Sequence, residues 1–326
     1  MDAAVALTGM QDLAKFPRLA ALVERARRLP QICAAIVHPC DGNSIGGALA
    51  AHELGMIEPV LIGPRRKIEA AAARVGASLE GVAIEDAPHS HAAAARAVEL
   101  ARAGRVQAIM KGALHTDEVM AAVVRTEGGL RTERRITHIF VVDAPLYPKL
   151  ILISDAAINI APCLADKRDI VQNAIDLSRA LGVERPKVAI LSAVETVTPK
   201  IPSTVEAAAL CKMADRGQIT DGVLDGPLAF DNAISKQAAA DKGIVSDVAG
   251  AADVLIVPDL EAGNMLVKQL VFLAGAGNSG LVLGARCPIM LTSRADAAPA
   301  RIASAALAQL YVHWAQARAA TKAAAE

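Results

Sequence analysis

A chain of 326 residues is longer than a single hydrophobic core usually grows, so two domains are expected. Hydrophobic residues make up 53%, enough to bury a sizeable core, and 34 basic side chains balance 34 acidic ones. With no Lys/Arg block and 2% aromatics, the chain offers neither a phosphate track nor a base-stacking platform, which excludes a nucleic-acid binder and leaves small molecules as the expected partners.

Cys33, Cys40, Cys163, Cys211 and Cys287 are odd in number and lack CxxC spacing. That argues against a disulfide framework or a zinc site and fits a reducing cytoplasm. The N-terminal MDAAVALTGMQDLAKF lacks a basic region followed by a long apolar block, so no signal peptide is expected. The most apolar window, 265–285, is broken by Lys268, Gln269, Asn278 and several glycines, which is wrong for a lipid-exposed span.

In chain order, apolar β-like runs alternate with Ala-rich helical patterns. Residues 18–28 form an amphipathic helix with Leu19, Leu22, Val23 and Ala26 on one face, stopped by Pro30. A strand over 32–37 leads to Asn43-Ser44, which opens a helix over 45–54. Its Gly46-Gly47 pair lets the backbone approach something closely. Strands over 60–62, 82–84 and 106–110 alternate with helices over 66–75 and 90–103. Such βαβα repetition predicts a parallel sheet covered by helices on both faces.

Lys111-Gly112-Ala113-Leu114-His115-Thr116 follows a strand and precedes a helix over 117–124, at the carboxyl edge where open α/β sheets place ligands. Lys111 can reach a phosphate there, with Thr116 as the helix N-cap. For His115 a hydrogen-bonded loop imidazole outweighs a catalytic one. Arg131, Arg134 and Arg135 form a local basic cluster, divided between the site and a solvated rim. Strands over 139–142 and 150–154, joined by the Pro145/Pro148 turn, then read as a hairpin-type junction and a domain boundary near residue 138.

Beyond it, helices over 167–181, 204–214 and 233–241 and strands over 188–191, 223–224 and 254–257 continue the pattern, with Gly263-Asn264 opening another helix. Three strands are expected to end in Asp-bearing turns, at Asp155, Asp225 and Asp259. These acids either cap the following helices or bind Mg²⁺. Last, GLVLGARCPIMLTSRADAAPA over 280–300 reads as two apolar runs, a polar turn Thr292-Ser293-Arg294-Ala295-Asp296 and an Ala-rich helix. A Ser-Arg pair delivered to a helix start suits an anion, although a capping Ser293 and a solvated Arg294 fit the same residues.

Three ordered segments, DGPLAFDNAIS over 225–235, VPDLEAGN over 257–264 and LTSRAD over 291–296, resemble the phosphate acetyltransferase and phosphate butyryltransferase family. The likeness runs from about residue 32 to the C-terminus and is nearest the branch also found fused behind an enoyl-CoA hydratase domain; with no hydratase domain in the sequence, transferase activity alone is implied. The resemblance implies two α/β domains separated by a cleft, with a fold like that of isocitrate and isopropylmalate dehydrogenases. Its boundaries would be 1–137 plus 285–326 for the first domain and 138–284 for the second. It also implies reversible acyl transfer between CoA and orthophosphate, with CoA, acyl phosphate and phosphate as ligands, no cofactor or metal, and a homodimeric cytoplasmic enzyme.

The expected substrate-binding positions are Lys111, Gly112, Thr116 and Arg135 in the first half of the chain. In the second half they are Asp225, Asp231, Asn232 and Asn264. Ser293, Arg294 and Asp296 are the expected catalytic residues: Arg294 clamps the phosphoryl oxygens, and Ser293 orients the thiol or meets the oxyanion. Relatives carry an acid seven residues after this Ser, where this chain has Ala300. Either Asp296 takes the thiol proton, or departing phosphate does, or transfer is slow. A CoA or acyl-phosphate binding protein without catalysis, and a dehydrogenase of the related fold, are the competing readings.

Overall fold

The computed structural model describes residues 9–292 and 298–325. The chain divides into two compact units, one comprising Met1–Arg134 with Ser279–Glu326 and the other Arg135–Asn278. Among the described residues no helix is long and apolar enough to cross a membrane.

In the first unit, β1 (Ile32–Val37), β2 (Ile57–Gly63), β3 (Ala83–Asp86) and β4 (Ala108–Lys111) lie in the order β3-β2-β1-β4, all parallel. The near-continuous burial of β1 and β4 explains why they read as unbroken apolar runs: both faces of a parallel sheet are covered. The covering helices are α1 (Pro17–Ala26), α2 (Gly42–Glu53), α3 (Arg65–Val75), α4 (Ser90–Arg102) and α5 (Thr116–Val123). α1 buries Leu19, Leu22, Val23 and Ala26, the face expected from periodicity. α2 begins earlier than Asn43-Ser44 suggested, because Asp41 is its cap and accepts from Ser44 N at 2.7 Å.

The last part of the chain completes this unit. β10 (Gly277–Leu283) runs antiparallel to the two-residue β11 (Ile289–Met290), with Val282 opposite Ile289, and β11 lies parallel to β4. The long helix α11 (Ala298–Ala325) then packs on α1 and α2.

In the second unit, β5 (Thr137–Asp143) and β6 (Ile151–Ser154) form the expected antiparallel pair, with Ile139 opposite Ser154. β6 continues into a parallel set with β9 (Val254–Ile256), β7 (Lys187–Leu191) and β8 (Val223–Leu228), in the order β5-β6-β9-β7-β8. The helices are α6 (Leu164–Ala180), α7 (Pro202–Asp215), α8 (Phe230–Ile234), α9 (Lys236–Asp241) and α10 (Leu260–Phe272). Val142, Ile153, Leu191, Leu228, Leu255 and Val257 belong to its core, and the buried Tyr147 hydroxyl donates to Ala252 O at 2.7 Å.

Two local expectations change here. β8 does not stop at Leu224 but runs on through Asp225-Gly226-Pro227 to Leu228. Pro227 is tolerated because β8 is the outermost strand of this unit's order, and Gly226 is required because a Cβ there would lie 2.7 Å from Ile190 O. α10 begins at Leu260 rather than at Gly263-Asn264, with Asp259 Oδ1 accepting from Ala262 N at 2.8 Å as its cap.

Candidate active site

The first cluster is built where β4 and β11 end side by side. The ladder pairs Ile289 with Ile109 and Met290 with Met110, so the next residues, Leu291 and Thr292, emerge beside Lys111 and Gly112. Arg301 ties these ends together from α11. Its Nη1 donates to Thr292 Oγ1 at 2.6 Å and to Lys111 O at 3.3 Å.

Lys111 is buried, and its Nζ donates to Leu114 O at 3.2 Å, so its charge sits beneath the edge. The Gly112 amide is already used, donating to Val37 O at 2.9 Å. A Cβ at this position would fall 2.4 Å from that oxygen, so glycine is needed for packing against β1.

Thr116 is not the cap expected of it but the first residue of α5. The cap is His115, whose N–H donates to Glu118 Oε1 at 3.0 Å. The Ser90 hydroxyl donates to Glu118 Oε2; this bond first, and the His115 amide second, hold the Glu118 carboxyl below its ordinary value. His115 thus stands at the N-cap of α5, held through its main-chain amide. Ser293, Arg294 and Asp296 lie outside the described residues. Ala300 is the third residue of α11 and half-buried.

The second cluster surrounds the turn after β6. Asp155, 2% exposed, receives Ala157 N at 2.9 Å and Ile158 N at 3.1 Å on Oδ1, and Asn159 N at 3.2 Å and Asn159 Nδ2 at 2.5 Å on Oδ2. Burial raises this carboxyl's pKa more than those bonds lower it. Asn159 in turn accepts from Arg135 Nε at 2.7 Å, while Arg135 N donates to Asp169 Oδ2 at 2.9 Å and its Nη1 lies 3.5 Å from Asp166 Oδ1. Arg135 is thus a held guanidinium rather than a free rim charge. Asn264 reaches the same turn, donating from Nδ2 to Ala156 O at 3.2 Å. The fold therefore joins Arg135 and Asn264 through Asn159 and Asp155.

The remaining expected residues lie near the far strands of this unit. Asp225 Oδ1 accepts from Gly226 N at 2.8 Å. Asn232 is fully buried on α8, with Nδ2 donating to Glu195 Oε2 at 3.4 Å, while Asp231 beside it is exposed. Glu195 also accepts from Lys242 Nζ at 3.1 Å.

Of the three aspartates expected at strand-end turns, Asp259 caps a helix, Asp155 instead receives the amides of its own turn, and Asp225 lies within β8 rather than at its end. Among the described residues, no group of three or more His, Cys, Asp or Glu side chains is placed to hold a metal ion. All five cysteines are free thiols.

Arg301, Thr292 and Asn159 were not singled out by sequence reasoning. For Arg301 a signal existed: it is the one charged residue in the run 298–317, APARIASAALAQLYVHWAQA. A lone charge in an apolar helix is either a buried, partnered group or an error of pattern.

A family profile described as "Phosphate acetyl/butaryl transferase" matches residues 81–309. The chain is 60% identical over 290 residues to the phosphate acetyltransferase of Rhizobium meliloti, covering 89% of this chain and 92% of that one. Among solved structures it is similar to a branched-chain phosphotransacylase from Enterococcus faecalis V583, with a TM-score of 0.76 and 28% identity over 86% of this chain and 99% of that one. It also shares its fold with the 4-hydroxythreonine-4-phosphate dehydrogenase of Klebsiella pneumoniae, with a TM-score of 0.51 and 13% identity over 86% and 99% of the two chains. The profile spans the edge of β4, the DGPLAFDNAIS and VPDLEAGN segments and the Thr292–Arg301 tie alike, and on that evidence the chain belongs to the phosphate acetyl/butyryl transferase family.

Proposed function

We infer that the protein is a phosphate acetyltransferase, moving an acetyl group reversibly between CoA and orthophosphate by direct attack in a ternary complex. The CoA sulfur forms a bond to the acetyl carbonyl carbon, the bond from that carbon to the phosphoryl oxygen breaks, and phosphate departs with the electron pair. The observation that carries the reading is the convergence of β11 on β4. Thr292, the residue before Ser293, is bonded through Arg301 to the end of β4, which is the edge where α/β sheets bind ligands.

Arg294 grips the phosphoryl oxygens as a bidentate clamp and stabilises the leaving phosphate. The Ser293 hydroxyl meets the carbonyl oxygen as it gains charge in the tetrahedral state. Lys111, buried under the same edge, adds positive field rather than direct contact. A free thiol has a pKa of about 8.5, so transfer to CoA needs a proton acceptor. The methyl side chain of Ala300 cannot serve, and Asp296 takes that role. Arg135 and Asn264, joined at the Asp155 turn, together with Asp225 and Asp231, bind the CoA portion, while the fully buried Asn232 acts as a positioning residue beneath them. The apolar Met265, Phe272 and Leu273, exposed along and just after α10, support a homodimer, and the free thiols fit the cytoplasm.

Mixing purified protein with CoA and acetyl, propionyl or butyryl phosphate tests this, with thioester absorbance as the readout. Acetyl phosphate is expected to be turned over. No thioester from any of the three donors would remove the acyl-transfer reading.

A further inference from the structure

We infer that Arg301 is a positioning residue for the transfer reaction: its buried guanidinium fixes the carboxyl ends of β11 and β4 against each other and so sets the direction in which the chain leaves β11 toward Ser293. This rests on the acyl-transfer reading above.

Three observations lead there. First, β11 is only two residues long, and its ladder with β4 ends at the Met290–Met110 pair. Nothing in so short a ladder fixes the residues that follow. The Arg301 Nη1 bonds to Lys111 O and Thr292 Oγ1 fall just beyond that last pair, so they extend the tie between the strands past the point where the sheet stops.

Second, Arg301 stands in the first turn of α11, where the helix dipole disfavours a cation, and it is 1% exposed, where desolvation disfavours one again. A Met of similar length would fill the same volume at neither cost. What only a guanidinium supplies is a planar, rigid donor able to serve a carbonyl on one strand and a hydroxyl on another at once.

Third, the surrounding wall is shaped to this side chain. Gly47 in α2 leaves space that a Cβ would take from it, at 2.5 Å from Arg301 Cδ. Buried as it is, Arg301 does not touch substrate. Its effect passes through Thr292, and it belongs in kcat rather than in CoA affinity.

The test compares Arg301→Met, Arg301→Lys, Thr292→Val and the Arg301→Met/Thr292→Val pair with the parent, measuring kcat, KM for CoA and Tm with acetyl phosphate. Leu49→Ala, a cavity variant in the α2 wall, serves as the stability control. Arg301→Met is expected to lower kcat about tenfold or more with KM for CoA within about twofold, the pattern of a group that matters at the transition state. Arg301→Lys regains part of the loss, since an ammonium can still reach one acceptor. The double variant is no slower than Arg301→Met alone, because both changes cut one path. Leu49→Ala loses Tm and keeps kcat.

A kcat that follows Tm across all variants, including Leu49→Ala, would overturn the inference, as would fully additive losses or an unchanged kcat in Thr292→Val. If Arg301→Met does not fold, Thr292→Val and Arg301→Lys, which keep the packing volume, decide alone. A parent inert toward all three donors overturns the acyl-transfer reading itself, whereas an active parent with kcat-neutral variants overturns only the role of Arg301.

Discussion

Gly47 and Arg301 occupy complementary space: a Cβ on Gly47 would lie 2.5 Å from Arg301 Cδ and 3.0 Å from Arg301 Cβ. Gly47, one of the glycine pair in α2 that the sequence marked as a site of close approach, thus meets the side chain of a helix more than 250 residues later in the chain.

Gly47→Ala follows directly. Mid-helix, Ala is favoured over Gly by roughly 0.5 to 1 kcal/mol, but overpacking a well-filled wall costs about 1 to 3 kcal/mol. The contact falls on the middle of the Arg stem rather than its flexible end, so the cost wins and a net loss of about 1 to 2 kcal/mol is expected. Urea denaturation measures it; a variant more stable than the parent would show that Arg301 has room to move.

Arg294→Ala is expected to remove detectable turnover, a loss of at least about a hundredfold for a phosphoryl-gripping and charge-stabilising group. The Tm should stay within a few degrees, since the residue contributes no core volume in this reading. Equal kcat/KM in variant and parent would withdraw the assignment to phosphate.

Asp296→Asn separates two uses of one carboxylate. As the thiol's base it should lower kcat about a hundredfold or more with unchanged Tm. As a helix cap it should cost about 1 kcal/mol of stability and little rate, since Asn caps nearly as well. Stopped thioester assays beside thermal melts give both numbers.

His138 makes the acid limb of stability predictable. Burial alone lowers its pKa from 6.5 to about 4, and its Nδ1 has no hydrogen-bond partner among the described residues. The folded state therefore binds fewer protons than the unfolded state between those values. Its contribution is fully present above pH 6.5 and is lost as pH falls toward 4, at up to about 1.4 kcal/mol per pH unit. His138→Leu should flatten that limb relative to the parent in urea titrations at pH 4 to 7; parallel limbs would mean that His138 charges without unfolding.

Glu118 works in the same direction at lower pH. Its carboxyl pKa is depressed from 4.5 by Ser90 and the His115 amide, so the stability it gives is present above 4.5 and is lost as pH falls through the lower folded value. Glu118→Gln should cost about 1 kcal/mol at neutral pH, with the gap to the parent closing in acid. A gap that persists at pH 2 would assign the loss to packing instead.

The alternation of apolar runs and helical patterns, the face of α1, the β5–β6 hairpin and the family-bearing segments around Asp225, Asp259 and Thr292 were legible in the chain itself, because each depends on neighbours a few residues away. Periodicity and turn chemistry are local, and so is a motif. Helix starts were less legible. Asp41, His115 and Asp259 cap α2, α5 and α10, and each stands one to several residues before the point the pattern suggested, because the first turn of a helix need not be apolar.

What only the tertiary structure decided were relations between distant residues. No local rule says that Arg301 reaches Lys111 O, that Gly112 spends its amide on β1, or that Arg135 is held through Asn159 by a buried Asp155. Each is a hydrogen bond between groups that meet only after parallel strands have brought their carboxyl ends into line or a turn has folded back on its own strand. The sequence by itself therefore determined the elements, their class and the chemistry of the family, while folding decided which of the charged side chains are held beneath the sheet edge and which are left exposed, because burial makes an unpartnered charge too costly and so assigns each one a partner.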